Sequence, residues 1–252
     1  MTRALGLLLV LAAGHAQALQ AAEAADRPGR KEAEKPVAHM VLEKRTLVRE
    51  TFANPLSDAV WNARQYGTWT LIDGRLDGAE REKDHHTAVA HLNVGSLPAF
   101  CVIRFRFRLG EAREVAIVGQ GANGDQQRPT FMLAVDRNGF GLVAMPDRTV
   151  KPVEPVPTCF PRVSVGLDAT TWHLMTLEIA GDEALAYSDD QHATYVRHAA
   201  FLKPRWGISL RAAGVDRPAS FDDVALSAGV IDPHWSQLRR GFEDLAESPP
   251  RQ

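Results

Sequence analysis

The chain has 252 residues, of which 45% are hydrophobic and 24% are charged, and its net charge at pH 7 is -2. This composition is that of an ordinary globular protein, and the small net charge gives no reason to expect nucleic acid or an anionic membrane as a partner. The 19 glycines and 15 prolines indicate a fold with many turns.

The first 18 residues have the pattern of a signal peptide. Arg3 supplies a basic region, and Ala4–Ala13 is an apolar run too short to cross a bilayer. Ala16–Ala18 (AQA) matches a signal-peptidase site, although a buried helix would be the alternative. We therefore predict a signal peptide over 1–18 and an exported protein, periplasmic or secreted, without an integral membrane span. The charged segment 19–40 is predicted to be a flexible linker.

Short segments of alternating polarity follow from 41 to 230, separated by turn residues. The predicted strands up to residue 144 are Arg45–Phe52, Thr87–Val94, Phe100–Leu109, Arg113–Val118, Thr130–Asp136 and Phe140–Ala144. Hairpin turns are predicted at Asp73–Gly74 and Asn138–Gly139, whose residues tolerate positive φ. The alternation indicates an all-β sandwich or barrel, and a βαβ rhythm is missing from the sequence.

The segment Phe100–Leu109 (FCVIRFRFRL) shows the alternation most clearly. Its apolar side chains fall on one face of a strand, and Arg104, Arg106 and Arg108 fall on the other. Guanidinium groups can bind sugar hydroxyls or carboxylates, so this stripe is a candidate lining of a ligand groove. A solvated face paired with acids of neighbouring strands is the alternative.

The segment Met145–Asp168 is dense in proline, which excludes a central strand or a helix. We interpret it as a long loop that either covers a site or connects two strands over the surface. Cys159 lies in this loop and Cys101 opens a predicted strand. Export to an oxidising compartment would permit a Cys101–Cys159 disulfide, and two unpaired thiols are the alternative.

The last part of the chain, 231–252, is predicted to be a short helix and tail. Asp232 can cap the helix and Pro233 suits its first turn. An apolar stripe recurs at helical spacing at Trp235, Leu238, Phe242 and Leu245. We expect this stripe to dock on the sandwich, and a helix that binds a protein partner is the alternative.

Histidines and tryptophan provide the candidate site residues. His85 and His86 follow Asp84, and a histidine beside a carboxylate can act as a general base or a metal ligand. Neighbours on a strand point to opposite faces, so His86 would need a second histidine from another strand, either His91 or His173. Trp172 could stack on a sugar ring, or pack in the core.

Other motifs point to no cofactor. The doublets Asp189–Asp190 and Asp222–Asp223 could lend one carboxylate to a calcium site, but turn and strand-edge acids are the ordinary reading, and we predict neither a metal nor a cofactor. The glycine-rich stretch Gly119–Gly124 (GQGANG) is predicted to lie between strands, without the helix N-terminus that a phosphate cradle needs.

The order of the strand motifs resembles a known family. The closing segments, from Trp172 to Val224, look like the last strands of a laminin-G or concanavalin-A-like jelly roll. The stretch from about Thr46 to Ala228 resembles the 3-keto-disaccharide hydrolase domain family, also described as 3-keto-glucoside lyase/hydratase. The matching pieces are RETFANP, WTLIDGRLDG, DHHTAVAHLNV, FCVIRFRFRL, TWHLMTLEIAGDEALAYSDD and WGISLRAAG…ASFDDVAL.

The resemblance implies a jelly-roll sandwich of two antiparallel sheets that binds or cleaves a (keto-)glycoside on its concave face. If the domain is catalytic, the expected base is His86 or His173, with Arg104, Arg106, His85 and Trp172 as substrate-binding residues. The expected partner is a saccharide, and no nucleic acid. A non-catalytic lectin-like module and a structural or partner-binding envelope protein are the alternatives.

Overall fold

The computed structural model of the protein describes residues 39–54, 56, 61, 63–123, 126–146, 156–189 and 192–247. The predicted signal peptide at 1–18 and nearly all of the predicted linker at 19–40 lie outside the described residues. Part of the proline-rich segment also lies outside them. Within the described part of the chain, no helix has the length and apolar character needed to cross a membrane.

The described residues form two antiparallel β-sheets, whose strands we number in chain order. The first sheet has the spatial order β14 (His192–Arg197), β13 (Glu183–Ser188), β12 (His173–Ala180), β6 (Phe100–Arg108), β16 (Ala219–Ile231), β4 (Arg75–Ala79) and β3 (Thr68–Ile72), and β1 (Val41–Glu50) also pairs with β16. The second sheet has the order β10 (Thr158–Cys159), β9 (Gly139–Ala144), β8 (Gln126–Asp136), β7 (Glu114–Asn123), β15 (Arg205–Ala213), β5 (Ala88–Leu97) and β2 (Ala63–Tyr66), and β11 (Val163–Ser164) also pairs with β9.

The two sheets share one core because alternate residues of each strand point inward. Ile103, Phe105 and Phe107 of β6 are fully buried and belong to the same apolar cluster as Ile117 of β7 and Leu210 of β15. Burying a side chain of this size stabilises the fold by about 1.5–3 kcal/mol. The predicted all-β sandwich is therefore confirmed, with the three arginines of β6 on the side opposite the core.

The two predicted hairpin turns differ in their details. Asp73 and Gly74 have φ of 49° and 69°, which is the left-handed pair that a tight two-residue hairpin requires. In the second hairpin the turn is formed by Arg137 and Asn138, one residue earlier than predicted, and Gly139 is the first residue of β9. A Cβ atom at position 139 would collide with the backbone of the adjacent β11, so the glycine is needed for this close approach.

A helix, α1 (Trp235–Glu247), ends the described chain and covers part of the outer face of the first sheet. The Asp232 carboxylate accepts the His234 N–H at 2.7 Å, as the predicted cap requires. Trp235 is 1% exposed in a small cluster with side chains of the first sheet, and Phe242 packs on its ring. Leu238 is 45% exposed, although the apolar stripe was predicted to dock on the sandwich. The reason is that the contact with the sheet is narrower than the apolar face of the helix.

Candidate functional site

The outer face of the second sheet is sheltered from solvent although its side chains point away from the core. On β15, Ile208 and Leu210 point inward, so Ser209 between them points outward. Ser209 and Val118 are nevertheless 0% exposed, and Ala116 is 1% exposed. Small side chains thus form a floor between longer neighbours, and this face can receive a ligand.

Three polar side chains meet on this floor. His91 of β5 lies directly across the strand pair from Ser209 of β15. The His91 Nδ1 atom is 2.6 Å from the Ser209 Oγ atom, and the Gln120 Nε2 group of β7 donates to the same oxygen at 2.7 Å. The trio therefore joins three neighbouring strands at the centre of the sheet, where the backbone fixes the positions of all three residues.

The Ser209 hydroxyl holds the Nδ1 atom of the His91 ring in place. Burial lowers the pKa of His91, and the positive charge of Arg211 lowers it further. Ser209 is fully buried, so a ligand cannot reach its hydroxyl directly. We conclude that Ser209 and Gln120 orient the imidazole, and that His91 is the member of the trio that can contact a ligand or exchange a proton with it.

Arg211 and Glu114 place two half-buried charges further along the same face. Burial lowers the pKa of the Arg211 guanidinium, and the nearby Glu114 carboxylate opposes that change. Burial raises the pKa of Glu114, while Arg113, Arg162 and Arg211 pull it down. The Arg211 Nε–H is buried and finds no hydrogen-bond partner among the described residues.

The strand β15 contains a β-bulge on the N-terminal side of Ser209. The register shifts between Arg205 and Gly207, and Arg205 points into the core, where its guanidinium lies 5.7 Å from the Phe131 ring. Trp206 lies within this bulge and is half-buried. Its Nε1–H is buried without a hydrogen-bond partner in the described part of the chain.

The predicted substrate-binding residues Arg106 and Trp172 lie together, on the outer face of the first sheet. The guanidinium groups of Arg106 and Arg108 lie 5.9 Å and 5.4 Å from the centre of the Trp172 ring. Arg104 is 8% exposed and forms an ion pair with Glu43 of β1. The third arginine of the stripe is thus engaged within the fold, because β1 runs beside it.

The predicted histidines lie apart from one another. His85 is exposed and ends a short 3₁₀ turn (Glu82–Asp84) in the left-handed conformation, with φ of 48°. His86 stacks on Tyr66 of the edge strand β2 at 4.3 Å, and its Nδ1 atom is 2.7 Å from the Thr87 carbonyl oxygen. His173 lies in the first sheet, so the structure does not bring the two proposed bases together.

Both ring nitrogens of His173 lie near acceptors. Its Nε2 atom is 2.8 Å from the Asp168 carbonyl oxygen, and its Nδ1 atom is 3.7 Å from the Asp189 carboxylate. The ring also packs against Phe107 of the core at 5.5 Å. These contacts are typical of a histidine with a structural role at the end of the sandwich. The described residues contain no group of three or more His, Cys, Asp or Glu side chains that could hold a metal ion.

The candidate disulfide is not formed in the structure. Cys101 is a free thiol buried in the core of the first sheet, and Cys159 is a free exposed thiol at the edge of the second. Cys101 faces the core because it shares the inward side of β6 with Ile103, so its side chain cannot reach a surface loop.

We expect Cys159 to react with a maleimide in the folded protein and Cys101 to react only after denaturation. Burial raises the pKa of the Cys101 thiol to about 11, and the thiolate is the reactive form. Intact-mass spectrometry at neutral pH, before and after urea, measures the number of labels, and Cys159→Ser should remove the native one. A mass lower by two hydrogens with no label at all would contradict the free thiols and indicate a bridge.

The sequence alone does not predict most of the polar residues that meet on the outer face of the second sheet. The sequence offers His91 only as one of two possible second histidines for His86, and Gln120 only as part of a glycine-rich stretch between strands. Gly119 and Gly121 in fact belong to β7, where a Cβ atom at Gly119 would collide with the Phe131 ring and one at Gly121 with a backbone carbonyl. The alternation in GISLRA predicts that Ser209 points outward, but nothing in the sequence identifies its cross-strand neighbours.

Comparisons with known proteins establish the fold. No family model matches the chain, and no curated protein matches it in sequence. Similar solved structures include an endo-β-1,3-glucanase from Pyrococcus furiosus (12% identity, TM-score 0.52, covering 78% of this chain and 100% of that chain). Another is the κ-carrageenase from Pseudoalteromonas carrageenovora in complex with an oligotetrasaccharide of κ-carrageenan (10% identity, TM-score 0.51, covering 81% and 100%).

A third similar structure is a protein of unknown function with a galectin-like fold from Bacillus subtilis (12% identity, TM-score 0.51, covering 76% of this chain and 99% of that chain). At these identities the similarity concerns the fold alone. The chain is therefore an antiparallel jelly-roll sandwich, as its strand pattern predicts.

Proposed function

We propose that this protein is a carbohydrate-directed domain that holds a saccharide on the outer face of its second sheet, with His91 at the centre. The observation that carries the proposal is the trio of His91, Ser209 and Gln120 on a sheltered floor. A few oriented polar groups on a preformed surface are what a small-ligand site requires. Sugar hydroxyls both donate and accept hydrogen bonds, so they can use the imidazole of His91 and the half-buried guanidinium of Arg211.

The shared fold supports the ligand class. Two of the similar structures are a glucanase and a carrageenase, and the latter was solved with an oligosaccharide. A fold alone does not establish a function, so the argument depends on the polar face described above. The proposal also includes export to the periplasm or the outside of the cell, which is inferred from the signal-peptide pattern at 1–18.

The finer form of the proposal is cleavage of a 3-keto-glycoside. His91 would take the proton from the carbon between the ketone and the anomeric carbon. The electrons of the broken C–H bond would form a double bond between this carbon and the anomeric carbon. At the same time the bond between the anomeric carbon and the leaving oxygen would break, and that oxygen would take up a proton. The step needs no oxidant or reductant. A neutral imidazole held by a neighbour is suited to this role, and His91 is better placed than His86 or His173 because it lies on the sheltered face.

A non-catalytic lectin-like module is the second candidate, and the positions of the carboxylates favour it. Glu114 and Asp136 lie opposite each other at the end of the face, four residues from the row of Ser209. Four residues of strand span about 13 Å. Asp136 is also ion-paired with Arg162 at 2.9 Å. In the described part of this face, therefore, His91 has no carboxylate beside it in the strand register.

Affinity electrophoresis in gels that contain different polysaccharides tests saccharide binding. We expect the wild-type protein to be retarded by at least one polysaccharide, and His91→Ala to lose affinity about tenfold or more, because one buried hydrogen bond contributes about 1–3 kcal/mol. His192→Ala is the matched control, since His192 is exposed on the edge strand β14 of the other sheet.

Incubation with a 3-keto-disaccharide, followed by sugar analysis, separates the two candidates. Release of the two halves by the wild type but not by His91→Ala supports cleavage. Retardation without release supports the lectin-like module. A folded wild-type protein that neither migrates more slowly in any gel nor releases sugar would overturn the proposed function.

A further inference from the structure

A cavity opens at the end of strands β7, β8 and β15. It has a volume of about 320 Å³ and lies between the turn that precedes β7, the β8–β9 hairpin and the loop that follows β15. Its charged lining residues are Glu111, Arg113, Asp136, Arg137 and Arg217. Three guanidinium groups against two carboxylates make this a cationic cavity.

One of the two carboxylates is already neutralised. The Asp136 Oδ2 atom accepts a charged contact from Arg162 at 2.9 Å, and its Oδ1 atom accepts the Asn138 N–H at 2.8 Å. Among the residues that the structure describes, the side chains of Arg113 and Arg217 form no hydrogen bond or ion pair. The positive charge of the cavity is therefore not cancelled by its own walls.

The backbone beneath these arginines is fixed. The Arg113 N–H donates to the Ala213 carbonyl oxygen at 2.7 Å, and the Arg217 N–H donates to the Gly214 carbonyl oxygen at 3.2 Å. Gly214 has φ of 136°, a conformation that other residues rarely adopt. The Arg137 Nη2 group donates to the Gly110 carbonyl oxygen at 3.1 Å, which holds the third guanidinium at the rim.

The cavity adjoins the His91 face. Glu114 pairs with Ala213 and with Asp136 at the ends of the three strands. The residues that line the cavity adjoin these pairs, mostly in the turns. The row of His91 and Ser209 lies four residues back along β15, at about 13 Å. A saccharide of two or three units on the face would span this distance.

We propose that this cavity is a subsite for one oxyanion, either a carboxylate or a sulfate, carried by a saccharide whose other units lie on the His91 face. The inference rests on the proposed function. It names an acidic saccharide as the ligand class, because the planar donors of arginine match the two or three oxygens of such a group.

A glycan array tests the subsite if every uronic-acid or sulfated oligosaccharide is printed beside its carboxyl-reduced or desulfated form. We expect the wild-type protein to bind an acidic member at least about tenfold more tightly than its neutral counterpart, as one charge-assisted contact implies. Arg113→Gln combined with Arg217→Gln should remove this preference and leave the affinity for the neutral form unchanged. The uronic-acid pairs and the sulfated pairs distinguish the two oxyanions.

Arg240→Gln is the matched control, because Arg240 is exposed on α1, which packs on the other sheet. Equal binding of acidic and neutral forms by the wild type would overturn the subsite and leave the proposed function intact. The same loss of preference in Arg240→Gln would also overturn it, since general charge attraction would then explain the effect. If no oligosaccharide of either kind binds, both proposals are wrong.

Discussion

Glu178→Leu is expected to lower the free energy of unfolding by about 3–5 kcal/mol, since several buried donors would lose their acceptor together. The Glu178 carboxylate is 0% exposed. It accepts hydrogen bonds, at 2.6 to 2.8 Å, from the N–H groups of His39, Met40 and Val41 and from the Tyr187 hydroxyl. This one side chain therefore attaches the beginning of β1 to the first sheet.

Urea denaturation followed by tryptophan fluorescence measures the loss. Tyr187→Phe removes one donor and should cost only about 1 kcal/mol. Glu82→Leu is the control for a lost acid at an exposed position and should stay within about 0.5 kcal/mol of the wild type. If Glu178→Leu does not fold, hydrogen exchange in Glu178→Gln should show faster exchange at His39, Met40 and Val41. Unchanged exchange and unchanged stability would show that the carboxylate is not an anchor.

The pKa of His91 is expected to lie below its ordinary value of 6.5, and any activity that needs the neutral ring should persist below that pH. Burial is the main cause and the charge of Arg211 is the second. NMR titration of the histidine ring protons measures the pKa directly. Arg211→Gln should raise it, because a positive neighbour is removed, whereas Arg49→Gln on β1 of the first sheet should leave it unchanged.

The same pKa predicts a loss of stability in acid. Above pH 6.5 the ring is neutral in both the folded and the unfolded protein. As the pH falls below 6.5, the unfolded chain binds the proton first, so the free energy of unfolding declines until the pKa of the folded state is passed. His91→Gln should remove this part of the decline. A His91 ring that titrates at or above 6.5 would contradict the lowered pKa and the loss of stability in acid that follows from it.

Local patterns in the chain were sufficient to predict individual strands and turns. The alternation in FCVIRFRFRL places Phe105 and Phe107 in the core and the arginines on the other side. Asp73–Gly74 forms the predicted tight turn. These features depend on residues a few positions apart, for which the period of two along a strand and the tolerance of positive φ are decisive.

The same patterns could not show how each arginine is used. Arg104, Arg106 and Arg108 are equivalent in the sequence, yet Arg104 is paired with Glu43 while the other two lie beside Trp172. The difference arises because β1 pairs with β16 and reaches only one end of the stripe. The exposed Leu238 has a similar cause, since the sheet surface beneath α1 sets the width of the contact.

Composition and period-two alternation thus fixed the all-β class, the core-facing residues of strands such as β6, and the tight turn at Asp73–Gly74. The site depended on tertiary structure, because His91 and Ser209 are 118 residues apart and Gln120 and Ser209 are 89 apart. Which strands become neighbours, and in which register, is decided by packing of the whole sandwich, and a shift of one residue would turn each of these side chains to the opposite face.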